Sequence, residues 1–135
     1  MITIDKKELN KSVLKRIVKC HDYSRRISYD YNLYEIYKED VLYPIGYILK
    51  YDVIGLKGTK DNAYIDIFIR PKYRNYGYGT EALKLFINHI IKKNKVMVIT
   101  EDRSKIKFLL KNGFIKDKLY IYKNLYKYQR GDIIE

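Results

Sequence analysis

The chain has 135 residues and carries 28 Lys and Arg against 16 Asp and Glu, a net charge of +12. That length suits one domain, residues 1–135, since two domains would each be too small to bury a good core. An apolar fraction of 47% excludes a disordered chain, and no apolar run approaches the ~20 residues of a membrane-spanning helix.

Residues 2–4 are β-prone. Asp5 has the spacing to cap a helix, with Glu8 completing a capping box. Leu9, Val13, Leu14, Ile17 and Val18 then recur at helical intervals. Residues 21–32 carry no clear period. Leu33–Lys38 alternates as a strand does, and Pro44–Val53 is rich in β-branched and aromatic residues. A turn near Lys38–Leu42 would join them as a hairpin. Gly55–Asn62 is turn chemistry, and Ala63–Ile69 reads as a strand with Ile65, Ile67 and Ile69 on one face.

Arg70–Tyr78 reads as a loop. Gly79–Lys93 is an amphipathic helix with Ala82, Leu83, Phe86, Ile87, Ile90 and Ile91 turned to the core, and Asn94 stops it. Lys95–Thr100 is a buried strand. Asp102 or Ser104 caps a second helix that runs to Asn112 and ends at Gly113. Lys118–Tyr122 and Leu125–Gln129 complete the strands. The pattern predicts an α/β fold, a mixed and mostly antiparallel sheet flanked by helices.

The charge is spread unevenly. Residues 1–26 carry +5, 27–63 carry −2, 64–100 carry +5 and 101–135 carry +4. A basic surface attracts nucleic acid, phosphorylated cofactors or acidic partners, and it also simply aids solubility. The single cysteine, Cys20, excludes an internal disulfide framework, so a reducing cytoplasm is the natural setting. With His21 and His89 as the only histidines, a closed zinc site is not available, and no metal is expected. The opening residues lack the apolar core of a secretory signal.

The informative segment is Arg74-Asn75-Tyr76-Gly77-Tyr78-Gly79, between a strand and a helix. The glycines let the backbone turn sharply, and their N–H groups and those of the helix start can converge on an anion. No G-x-x-x-x-G-K-[ST] run exists, so a P-loop is excluded. Gly77–Ala82 fits the G-x-G-x-x-A dinucleotide fingerprint, but Arg70–Tyr76 separate it from the strand and too few residues follow Glu101. A tight strand-to-helix connection without a ligand is the plainer alternative.

The segment IDIFIRPKYRNYGYGTEALKLF resembles the signature of the GCN5-related N-acetyltransferase (GNAT) superfamily. That signature is a strand, Pro-x-Tyr, [Gln/Arg]-x-x-Gly-x-[Gly/Ala] and a helix. Arg70–Leu83 is similar to the branch acetylating N-terminal amines of ribosomal proteins. Phe108–Phe114 resembles the family's later helix end on Gly-Phe. The strong likeness covers residues 63–115.

The resemblance implies acetyl-CoA as co-substrate. Its pyrophosphate would lie on Arg74, Asn75, Tyr76, Gly77, Tyr78 and Gly79, with Thr80 at the helix start. The pantetheine arm would pair with Ile67, Phe68 and Ile69, whose amides would also polarise the thioester carbonyl. Attack by the amine is direct, so Cys20 is expected in the core rather than as a nucleophile. Asp66 is the first candidate for the base that frees the amine, with simple pairing to a lysine as its alternative. The family's acidic tyrosine aligns with Leu109, and its cofactor-binding asparagine aligns with Asp102, so both depart from the common pattern. Tyr73, Tyr76 and Tyr78 are expected to pack on the adenine or the helix, and His89 to be exposed or packed.

The acceptor is a small-molecule or protein amine. The net charge leaves two alternatives open: an amine carried on nucleic acid, such as charged tRNA, and a basic nucleic-acid-binding protein with no cofactor. Leu109 and Asp102 leave open a CoA-binding module without turnover. The family also implies a homodimer, and no membrane partner is expected.

Overall fold

The computed structural model describes residues 1–8, 27–53, 62–91, 95–117 and 125–129. Four strands come first: β1 (Ile2–Lys7), β2 (Ile27–Lys38), β3 (Gly46–Val53) and β4 (Asn62–Ile69). A short 3-10 turn at Pro71–Tyr73 leads to helix α1 (Tyr78–Leu85). Then follow β5 (Lys95–Ile99), α2 (Arg103–Lys111), β6 (Ile115–Lys116) and β7 (Leu125–Gln129). The strands form one sheet in the order β1-β2-β3-β4-β5-β7-β6. All neighbours are antiparallel except β4 and β5. This is the mixed, mostly antiparallel α/β architecture read from the sequence.

The alternating strands explain the core. Ile36, Ile48, Ile65, Ile67, Val96 and Val98 point to one face and pack with Ala82, Leu83, Phe86 and Ile87 from the helix and Leu109 from α2. Phe86 is fully buried and meets Tyr34 edge-on with centroids 5.0 Å apart. The opposite face buries Leu33, Leu49, Tyr51, Tyr64, Asp66 and Met97. Both faces of β4 are therefore covered, which explains its run of consecutive buried positions.

Three local expectations are corrected. Asp5 caps no helix; it lies within β1, opposite Glu35 in the ladder with β2, because that six-residue pairing satisfies its backbone. The long helix stops earlier than Asn94. Phe86–Ile90 widen into a π-type turn, the Ile91 N–H donates to the Phe86 carbonyl at 2.9 Å, and Ile91 turns extended. The second hairpin strand starts at Gly46, two residues after Pro44. The helical face from Leu9 to Val18, Cys20, most of the Gly55–Asn62 turn and the strand over Lys118–Tyr122 lie outside the described residues.

On the opposite sheet face the Tyr37 hydroxyl donates to Glu35 at 2.8 Å. Burial first, then this hydrogen bond and the Glu35 charge, push the Tyr37 hydroxyl up to about 12. Raising an acid's pKa on folding leaves stability unchanged below the unfolded value of about 10. Stability then falls as pH rises from there toward the folded value. A difference titration of wild type minus Tyr37→Phe, followed by tyrosinate absorbance, is expected to show one group ionising near pH 12. A group ionising with the bulk of the tyrosines would remove the Glu35 contact from the native state.

Candidate functional site

The site begins where β4 and β5 part. They pair in parallel at Asn62–Lys95, Ala63–Val96 and Tyr64–Met97 and no further. β4 continues to Ile69 and β5 to Ile99. Past Tyr64, β4 therefore has no partner strand on its β5 side among the described residues.

The chain leaving β4 is held firmly. The Arg70 Nε donates to the Pro44 carbonyl at 2.7 Å and its Nη2 to the Tyr47 hydroxyl at 3.0 Å. The Arg74 Nε donates to the Ile69 carbonyl at 2.7 Å, and its guanidinium sits 5.2 Å from the centre of the Phe68 ring. Asn75 and Gly77 both adopt left-handed backbone, at φ 69° and 84°. Asparagine and glycine are the residues that tolerate this. The double reversal aims the chain into α1 with no side chain capping its start. The first intrahelical bond shown there is from the Glu81 N–H to the Gly77 carbonyl. The N–H groups of Tyr78, Gly79 and Thr80 precede it and have no intrahelical acceptor. The positive end of the helix dipole adds to them.

Gly79 has a packing reason as well. A Cβ there would stand 3.1 and 3.3 Å from the Phe108 ring and 3.4 Å from Ile69. Glycine thus lets the start of α1 press against α2. The Asn112 Nδ2 lies 3.3 Å from the Thr80 hydroxyl and 2.8 Å from the Phe108 carbonyl, tying the end of α2 to the start of α1.

Between the two helix starts runs a groove. Its outer part, about 520 Å³, is bounded by Asn75, Gly77, Gly79 and Thr80 on one wall and by Lys107 and Lys111 on the other. Its inner part, about 190 Å³, lies along Ile67 and Phe68 and meets Asp102 and Lys105. Ile69, Arg74, Ser104 and Phe108 line both, so the groove is continuous.

The structure brings nine of the positions expected to hold the co-substrate to this groove: Ile67, Phe68, Ile69, Arg74, Asn75, Gly77, Gly79, Thr80 and Asp102; Tyr73 also lines its outer part. Tyr76 and Tyr78 do not line it. Tyr76 is exposed and stacks on Tyr78 with centroids 5.6 Å apart. Asp102 is the N-cap of α2; its Oδ1 accepts from the Ser104 N–H at 2.9 Å and the Lys105 N–H at 3.4 Å. Asp66 is buried beside the groove rather than lining it. Its Oδ1 accepts from the Lys105 ammonium at 2.7 Å and from the Ile67 N–H at 2.9 Å. His89 is exposed.

Lys105 and Lys107 line the groove without having been singled out, while Ser104 had been read only as a helix cap and Phe108 and Lys111 only as part of the Gly-Phe helix end. Ser104, Phe108 and Lys111 recur at helical spacing, a signal that marks one face of α2. It did not say that this face meets the glycine turn. Among the described residues no group of His, Cys, Asp and Glu could hold a metal ion. No helix among them is long and apolar enough to cross a membrane.

A family model for the acetyltransferase (GNAT) family matches residues 11–114. The chain belongs to the GNAT family. A curated relative is the histone acetyltransferase type B catalytic subunit of Cryptococcus neoformans, 27% identical over 78 residues. That alignment takes 50% of this chain but only 18% of the relative's length. Among solved structures, Campylobacter jejuni N-acetyltransferase PseH in complex with acetyl coenzyme A shares the GNAT fold at TM-score 0.62 and 13% identity, over 96% of this chain and 99% of that one. Spermidine N-acetyltransferase SpeG from Vibrio cholerae aligns at TM-score 0.64 and 12% identity, over 96% and 94%.

Proposed function

We propose that this chain is an acetyl-CoA-dependent N-acetyltransferase in which a primary amine attacks the thioester directly. The observation that supports this reading is the continuous groove, with helix N–H groups that no side chain caps at one end and, at the other, the stretch of β4 beyond its pairing with β5. The outer end suits a pyrophosphate: backbone N–H groups, a helix dipole and the cations Arg74, Lys107 and Lys111 converge there. The inner end suits an amide-bearing arm that lies along β4 beyond its pairing with β5 and brings the thioester to the backbone near Phe68 and Ile69. Strand N–H groups aimed at the developing oxyanion lower the barrier.

The amine attacks only as the neutral base, so its proton must leave. The Asp66 carboxylate is already engaged by the Lys105 ammonium and the Ile67 N–H. In this reading Asp66 positions Lys105, and water at the groove mouth takes the proton. The likeness of Arg70–Leu83 to the ribosomal-protein branch, with its leucine at Leu109, makes a peptide N-terminal amine the first acceptor to test. The +12 charge supports an amine on charged tRNA as the second. Steep loss of its binding with added salt would support that acceptor. One domain in a reducing cytoplasm, assembled as a homodimer, belongs to the same proposal.

Calorimetric titration of acetyl-CoA tests the reading. Wild type is expected to bind with micromolar affinity. Gly77→Glu, which sets a carboxylate beside the uncapped N–H groups, is expected to bind ~100-fold more weakly, about 2.8 kcal/mol. Nothing lies within 4 Å of a Cβ at Gly77, but its φ is +84°. Gly77→Ala therefore carries the backbone strain without the charge and is expected to stay within tenfold of wild type. Absence of wild-type binding, or equal losses in both variants, would overturn the assignment.

A further inference from the structure

The inner end of the groove holds an ammonium in an apolar setting. The Lys105 side chain is 12% exposed and Asp66 is 2% exposed, with Nζ and Oδ1 2.7 Å apart. Lys105 lines the groove beside Ile67, Phe68 and Phe108. Leu109, one helical turn later, is fully buried in the core and offers no proton donor to the groove.

Among the described residues, the other charged and titratable groups facing this end are otherwise engaged. Arg74, from the loop, donates to the Ile69 carbonyl. Asp102, at the start of α2, caps the helix. Tyr64 from β4 and Tyr51 from β3, cross-strand partners of each other, are buried on the face that carries Asp66. Lys105 is thus the cation of the inner end that borders both the groove and the buried sheet face.

We infer that the Lys105 ammonium is the counter-charge for the thiolate that leaves when the acetyl group is transferred, with Asp66 holding it in position. This rests on the N-acetyltransferase reading above. In the reaction the amine nitrogen forms a bond to the carbonyl carbon. The carbon–sulfur bond breaks and its electron pair stays on sulfur. The amine proton leaves to water, Lys105 keeps its own proton, and nothing is oxidised or reduced. Charge on sulfur appears only as that bond breaks. A fixed cation there therefore favours the transition state over the bound thioester. An ammonium is a weaker acid than a thiol, so its role is electrostatic and not proton donation.

The test needs no acceptor. Coenzyme A is bound to the protein at saturation, and its thiol is titrated by the ultraviolet absorbance of the thiolate. Bound to wild type, the thiol is expected to be at least tenfold more acidic than free in solution. Lys105→Arg keeps a cation and should keep most of that shift. Lys105→Gln should abolish it while the calorimetric affinity for coenzyme A changes less than fivefold. If Lys105→Gln does not fold, Asp66→Asn with Lys105→Gln removes both charges and should likewise abolish the shift. An unshifted thiol on wild type, or the same shift in the neutral variant, would overturn the inference. Failure of coenzyme A to bind wild type would instead overturn the acetyltransferase reading on which it rests.

Discussion

Gly46→Ala is expected to destabilise the protein by about 3 kcal/mol, near the upper end of what one added methyl group does in a packed interior. A Cβ at Gly46 would collide with the Phe68 carbonyl oxygen and stand 2.9 Å from Ile69 Cδ1 and 3.0 Å from Ile69 Cα. Two of these atoms belong to the backbone of β4 and cannot rotate away. Gly46 lies opposite Ile69 at the first pair of the β3–β4 ladder. Relief therefore requires the end of β4 to move, and Phe68 and Ile69 form the floor of the groove. The lowered urea midpoint should come with weakened acetyl-CoA binding in the fraction that remains folded. Gly113→Ala provides the comparison. Gly113 has φ +89°, but its Cβ would meet Tyr128 only at 3.6 Å, an ordinary contact. Its loss should be about 1 kcal/mol, the backbone term alone. Equal midpoints for Gly46→Ala and wild type would show that β3 and β4 are not in this register.

The contrast between these glycines explains what the sequence disclosed. The turn at Asn75 and Gly77 was legible because left-handed backbone selects those residue types locally. Strand β4 and the cap at Asp102 were legible for the same reason, through period two and a short polar side chain before a helix. Gly46 gave no such signal, since its requirement comes from a strand more than 20 positions away. The end of the first helix was misplaced for a related reason. Its apolar period runs on past Ile90, while the chain turns extended at Ile91. Asp5 satisfied a capping-box spacing, yet the ladder with β2 claimed it. Lys105 and Lys107 carried no sequence signal of a site. Only the junction of α2 with the glycine turn and β4 turned them toward a groove.

Asp66→Ala is expected to cost about 3–5 kcal/mol, the loss usually seen when one partner of a buried ion pair is removed. The cost arises from the ammonium left behind. Lys105 is mostly withdrawn from water, and the carboxylate 2.7 Å away is what compensates it. Replacing both groups with apolar residues, Asp66→Leu with Lys105→Met, should recover most of that loss, because desolvation of the two charges offsets much of their attraction. Urea unfolding of the two single variants and the pair closes a double-mutant cycle. A coupling energy of at least ~2 kcal/mol is expected for residues in direct contact. A coupling near zero would mean that the pair is solvated in solution and that Asp66 does not fix the lysine. The apolar pair should also separate stability from chemistry: it should fold nearly as well as wild type yet leave the thiol of bound coenzyme A unshifted. An ion pair that the fold could replace with hydrocarbon at little loss is better explained by what its ammonium does in the groove than by what it adds to the core.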